Sequence, residues 1–447
     1  MFQLLIVCPK DSAFISACTD YAQFKRASGV TCLVLPFDSN LERQRMEKLP
    51  FLKQQRIDPN LLTEPAACLK VDLFGYYLTK NTRYVMLTGD VDKLPTPWFE
   101  FSQSGNRYFY PTDLYYADLL KRSPKRIFQS WDPDRDSVKG EFQADQISAI
   151  DFTPDLAIGR IPASSAVELR RTFARLMSRQ PRVPRCLLLR GNADASTQWL
   201  EAVATAAADR LASRGYAVTR MSIDPAANSS TAQGVLNQLN AYLADGCEYI
   251  FWFGHGGKNS WSRFGPYSLQ FSTLVPLTSG SPIVFSMSCE VGQFNRGVYD
   301  TPYLSSGVLT SPPSQGGPQT PLVPDSLQPK PSTMDADFGP EEWTVKHAQG
   351  ATALIAGHSW GTILASGTPG EDYLSSQPLD FIAGLPRPDP TGDPNLEMQN
   401  RTVGDAFNSM LFSYLARFKQ TLPTEEGALN HLLRMNLFGD PTTPLFT

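Results

Sequence analysis

Seven short apolar runs punctuate the chain: FQLLIVC (2–8), VTCLVL (30–35), YVMLTG (84–89), CLLLRG (186–191), YIFWFG (249–254), PIVFSMS (282–288) and ATALIAG (351–357). None alternates polar with apolar residues over its length, so each reads as a strand buried on both faces of a parallel sheet. Helical patterns lie between them. In SSAVELRRTFARLMSR (164–179), Ser165 and Glu168 form a capping box, and Val167, Phe173, Ala174 and Met177 are expected to share the buried face. The alternation predicts an α/β architecture with a largely parallel sheet flanked by helices.

Two breaks interrupt this pattern. SRQPRVPR (178–185) separates a helix from a new strand with two prolines and three arginines, and divides the chain into an N-terminal α/β subdomain over 1–182 and a second over 183–447. The stretch 311–331 has seven prolines in 21 residues, which neither helix nor sheet tolerates, and marks a surface insertion over about 305–338. Because it falls between Cys289 and the next apolar run, this insertion is expected to reach across any site near that cysteine and gate access to it, or to be nicked during maturation.

Composition narrows the function classes. At 447 residues and 42% hydrophobic content the chain can bury one large core or two. A net charge of -4 and a pI near 5.7 give no electrostatic footprint for nucleic acid or anionic membrane. No run approaches the roughly 18 apolar residues of a membrane span. The opening MFQLLIVCPK reads as a core strand without a basic n-region, which predicts a cytoplasmic protein if Met1 is the true start. The seven cysteines contain no CxxC pair and are odd in number, so zinc-ribbon and disulfide frameworks fit poorly.

Candidate chemistry sits where two of the runs end. YIFWF stops at His255, followed by Gly256 and Gly257, and PIVFSMS stops at Cys289, with Gly292 three residues on. In parallel sheets the chemistry gathers at the carboxyl ends of strands, so two consecutive strands would deliver an imidazole and a thiol side by side. A free thiol has a pKa near 8.5, and a neighbouring imidazole stabilises its thiolate or protonates a leaving amine. The backbone N–H groups of Gly256 and Cys289 are candidates for holding an oxyanion. Taken singly, each residue has a structural alternative: a core histidine bonded to a carbonyl, or a buried thiol.

GHG some 34 residues before SCxxGxF resembles the gingipain-like cysteine peptidases, whose fold is that of the caspases. VMLTGDVDKLP (85–95), YPTDLYYADL (110–119), TPDLAIGRIPASS (153–165) and NLFGDPTTPL (436–445) are similar to the family's recurring blocks, in the family's order. The resemblance implies a caspase/gingipain-like fold of two α/β subdomains and peptide hydrolysis through an acyl-enzyme. It makes Cys289 the nucleophile and His255 the general acid/base, with a peptide or protein as substrate and no cofactor for catalysis. It also implies export, as for most relatives. The family's acidic residue that orients the histidine falls at Asn192 by gapless matching, or at Asp194 after a small shift. Asp194 is preferred because a carboxylate holds an imidazolium better than an amide, although it would equally cap the following helix. Trp360 is expected to line the substrate pocket. The pocket's acidic position falls in STQWLEAV (196–203), at Leu200 by direct matching with Glu201 the nearest acid, so an apolar or small P1 residue competes with a basic one.

WDPDRDSVKGEFQAD (131–145) offers Asp132, Asp134, Asp136, Glu141 and Asp145 as oxygen ligands for a structural calcium. Ser137 and Gln143 stand at the sixth and twelfth positions, so it is not an EF-hand, and a solvated acidic turn beside Arg135 and Lys139 is the alternative. GHSWG (357–361) matches G-x-S-x-G, from which a serine hydrolase of Ser359, His431 and Asp380 can be drawn. That arrangement needs a helix directly after the serine, and WGTILASGTPGED is too rich in glycine and proline to supply one. A catalytically inactive peptidase-like scaffold that only binds partners is the third class.

Overall fold

The computed structural model describes residues 3–62, 64–103, 106–122, 127–133, 147–179, 185–191, 198–223, 229–261, 269–294, 303–305, 308–310, 338–358, 369–386 and 402–445. Ten strands make its main sheet. They are β1 (Leu4–Pro9), β2 (Cys32–Phe37), β3 (Tyr84–Thr88), β4 (Ala157–Ile161), β5 (Arg185–Arg190), β6 (Ala217–Ser222), β7 (Tyr249–Phe253), β8 (Ile283–Met287), β9 (Ala353–Gly357) and β10 (Met435–Gly439). Their spatial order is β6-β5-β7-β8-β9-β10-β4-β3-β1-β2. Every neighbouring pair is parallel except β9 with β10, so two parallel blocks meet head to tail at one antiparallel join. The last strand, from the 183–447 segment, thereby runs with the strands of 1–182.

The seven apolar runs supply β1, β2, β3, β5, β7, β8 and β9; their lack of alternation reflects helices on both faces, except that β2 lies at the sheet edge and is half-exposed from Leu33 to Pro36, contrary to the burial expected of it. On β7, Tyr249, Phe251 and Phe253 face the layer of α3 (Pro65–Lys80), α5 (Gln198–Ser213), α7 (Tyr373–Gly384), α8 (Val403–Phe418) and α9 (Glu426–Leu433). Ile250 and Trp252 face the opposite layer, which contains α6 (Ser229–Asp245). Farther along that layer, α1 (Ser12–Ala27) and α4 (Ala166–Ser178) cover β1 and β3. Another long helix, α2 (Leu41–Gln55), buries Leu52 on the first face.

Three strands lack an apolar run. β4 reads AIGRI, with Arg160 in its middle; β10 reads MNLFG; and β6 is an edge strand, half-exposed along its length. The face predicted for α4 also needs correction. Its capping box forms, but Val167, Ala174 and Met177 are exposed, and the buried residues are Leu169, Thr172, Phe173 and Arg175. A cation whose guanidinium bonds to backbone carbonyls occupies a position that periodicity assigns to apolar residues.

Arg160 explains what several of the family-like blocks do. Fully buried, it donates from Nε and Nη2 to both oxygens of Asp113, 2.8 Å each, and from Nη1 to the Gly89 carbonyl at 3.0 Å. The Phe294 ring lies 5.3 Å from its guanidinium carbon and 5.2 Å from Phe438. The Asp113 N–H donates to Asn436 Oδ1 at 3.0 Å. One cation thus ties together four segments that are distant in sequence. At the other end of β10, buried Asp440 accepts from Tyr21 Oη at 2.7 Å and pairs with Lys25 Nζ at 2.9 Å, anchoring the last turn on α1.

Asp113→Ala leaves Arg160 buried without its carboxylate. It is expected to destabilise the fold by about 3–5 kcal/mol, read as a lower urea midpoint, while Asp113→Asn loses less because one hydrogen bond survives.

Candidate active site

β7 and β8 pair in parallel from Tyr249↔Ile283 to Phe253↔Met287, a constant offset of 34 residues. The ladder runs one step further, with Gly254 N–H donating to the Met287 carbonyl at 3.4 Å. By the same offset His255 and Cys289 stand at matching positions just past the carboxyl ends of adjacent strands, which lie about 4.8 Å apart. Both are partly exposed. The other six cysteines are buried, so Cys289 is the thiol that solvent can reach.

The glycines around this pair have specific work. A Cβ on Gly256 would come within 2.7 Å of the Cys289 carbonyl oxygen and of Ser288 Oγ, so the chain beyond His255 lies directly against the Ser288–Cys289 segment. Gly292 is pressed on β9 in the same way, where a Cβ would meet the Ala356 carbonyl at 2.5 Å, and its N–H donates to Gly357 O at 2.9 Å. Glu290, next to Cys289, is held at φ 54, a left-handed conformation costing a non-glycine residue of its kind about 1–3 kcal/mol. Bonds from Val291 N–H to Cys289 O at 2.7 Å and from Gln293 N–H to Glu290 O at 3.0 Å stabilise the turn.

Two stacked indoles brace the site from below. Trp252 and Trp261 lie 5.1 Å apart and nearly parallel. Trp252 Nε1 donates to the His255 carbonyl at 3.0 Å. Trp261 Nε1 donates to Ser286 Oγ at 2.9 Å, which bonds Ser288 Oγ at 2.7 Å. Sequence reasoning missed these residues, although Trp252, Ser286 and Ser288 lie inside the two motifs it singled out.

Other candidate residues are scattered. Asp194, Ser359 and Trp360 lie outside the described residues, as do Asp134, Asp136, Glu141 and Asp145 and most of the proline-rich insertion. Asp132 is described and buried; among the described residues no group of three or more His, Cys, Asp or Glu is arranged to hold a metal. Leu200 is core. Glu201 is half-exposed, and its carboxylate is bound by Arg190 at 2.6 Å and Arg220 at 2.7 Å. Asp380 is committed to Arg417, and His431 is buried in α9 with its carbonyl accepting from Gln377. No described helix is long and apolar enough to cross a membrane.

The family model described as Peptidase family C25 matches residues 2–446. No curated protein matches the chain. A solved structure described as "Structure of Protease" is similar at a TM-score of 0.56 and 16% identity, over 99% of this chain and 78% of that one. The separase–securin complex of Saccharomyces cerevisiae is similar at a TM-score of 0.35 and 12% identity, over 66% of this chain and 14% of that one. At these identities the first likeness is one of fold, a mostly parallel sheet flanked by helices.

His358, one residue past β9, is buried beside Arg434, whose carbonyl accepts from its N–H at 3.1 Å. Burial, reinforced by the Arg434 charge, holds its imidazole down to about 3. A histidine depressed in the folded state contributes stability that is complete above its unfolded value near 6.5 and is lost as pH falls toward 3. His358→Gln is therefore expected to flatten the acid limb of stability between these values, by at most about 4–5 kcal/mol, measured by urea denaturation across pH.

Proposed function

The chain belongs to peptidase family C25 and is a cysteine peptidase, and from that premise we propose that Cys289 and His255 are its catalytic dyad and that hydrolysis runs through an acyl-enzyme. The observation that carries this reading is the partly exposed thiol, the one of seven that is not buried, just past the end of the strand paired with the strand that leads to His255. The imidazole takes the thiol proton, and the thiolate attacks the scissile carbonyl. The resulting oxyanion is held by the N–H groups of Gly256 and Cys289. The imidazolium then gives its proton to the departing amine as the C–N bond breaks and the thioester forms. Water, deprotonated by the same imidazole, attacks the thioester, releases the acid and restores the thiol. The close approach at Gly256 and the indole bond to the His255 carbonyl favour this assignment, because they fix both residues on rigid elements. Asp194 is retained as the residue orienting His255.

For specificity, the engagement of Glu201 by two guanidiniums favours an apolar or small P1 residue over selection of a basic one through this carboxylate. Trp360 remains the proposed pocket wall.

An electrophilic peptide probe tests the dyad. Labelling is expected to vanish in Cys289→Ala and to persist in Ser359→Ala; the reverse pattern would establish the serine arrangement, and no labelling of the unaltered protein would favour the binding scaffold. Peptide hydrolysis should fall by roughly 10³-fold or more in Cys289→Ala and by about 10²–10⁴-fold in His255→Ala.

A panel of fluorogenic peptides tests the pocket. Glu201→Gln is expected to leave the ratio of kcat/KM for arginine over leucine at P1 within about twofold, since removing a carboxylate that selects the basic residue would cost 10-fold or more.

A further inference from the structure

At the amino ends of β7, β8 and β9, on the sheet edge opposite His255 and Cys289, lies a cavity of about 810 Å³. Three arginines at four-residue spacing, Arg171, Arg175 and Arg179, line it from α4 and its C-terminal end, across from the turn Thr278–Ser281. Their charges are matched unequally. Arg179 pairs with Glu248 and also donates from Nη1 to the Pro444 carbonyl at 3.0 Å. Arg175 is buried, yet its Nη1 and Nη2 reach only the carbonyls of His347 and Thr344, and its Nε is buried without an acceptor. Arg171 donates to the Lys346 carbonyl at 2.7 Å and is exposed. Among the described residues neither Arg171 nor Arg175 is paired with a carboxylate.

A buried guanidinium ordinarily has a counter-charge, because its desolvation is otherwise uncompensated. Burial alone pulls Arg175 down to about 10. The carbonyl end of α4 supplies about half a negative charge, which does not balance two cations. The guanidinium fork is suited to bidentate contact with tetrahedral oxyanions. The volume also falls in the range of about 300–1,000 Å³ typical of small-molecule pockets.

We infer that this cavity is an oxyanion site, which takes a phosphoryl or sulfate group, free or carried on a small molecule, between Arg171 and Arg175. It stands apart from the dyad by the length of the strands, roughly 16 Å, and does not depend on the peptidase reading.

Thermal unfolding of the full chain tests it, with inorganic phosphate, phenyl phosphate and chloride compared at matched ionic strength. Phosphate is expected to raise Tm by roughly 1–3 °C with saturation in the millimolar range. A larger shift with phenyl phosphate identifies a carried group, and an equal or smaller one the free ion. Arg171→Gln changes an exposed residue and should remove at least half of the shift. Arg175→Lys, which keeps the charge but loses the fork, should weaken it further. Phosphate acting no differently from chloride, or shifting Arg171→Gln as much as the unaltered protein, overturns the inference.

Discussion

The parallel pairing of β7 with β8 is the constraint on which the rest depends. Side chains in a strand alternate strictly, so a slip of one residue would send Cys289 to the other face from His255. The constant offset of 34 residues prevents this, because both strands are buried on both faces and their large side chains fix the register. Phe251 and Phe285 stack from neighbouring positions at 6.0 Å, and Trp252 and Trp261 lock the opposite face. The register is set by burial, and the chemistry follows from the register.

The first 161 residues contribute neither His255 nor Cys289, yet they determine the setting in which the two sit. Arg160 collects Asp113, Gly89 and Phe294 around one guanidinium, and Phe294 belongs to the segment that follows Cys289. Because Arg160 is fully buried, the cation's desolvation is offset only when every partner is present, which makes the joint between the two strand blocks cooperative. The one antiparallel pair of the main sheet, β9 with β10, is tied at both ends: Asp440 and Lys25 clamp its lower end, and Arg160 pairs with Phe438 to join β10 to β4.

The two edges of the parallel block that carries His255 and Cys289 differ in electrostatic character. At the carboxyl edge the groups are a thiol, an imidazole and closely packed glycine backbone, with Glu201 already neutralised nearby by Arg190 and Arg220. At the amino edge, cations from α4 gather against backbone carbonyls. A strand length, roughly 16 Å, separates the amino-edge arginines from His255 and Cys289.

Much of the fold was legible in the sequence. Continuous apolar runs identify strands of the sheet, because each such run needs no partner to reveal itself; seven of the ten strands followed from that rule, six of them buried and β2 a half-exposed edge. The two motifs and their 34-residue spacing were equally local, and they fixed which imidazole and which thiol to consider. Other features arose only from tertiary contact. β4 and β10 carry Arg160 and Asn436 in their interiors, and these are tolerable there only because Asp113 arrives from a remote loop. The buried face of α4 includes Arg175 because the carbonyls of Thr344 and His347 meet it from another segment. Glu201 read as the acid nearest the pocket position, but folding brought two guanidiniums to it. Apolar burial is written residue by residue, whereas the satisfaction of a buried charge depends on partners that only the folded chain assembles.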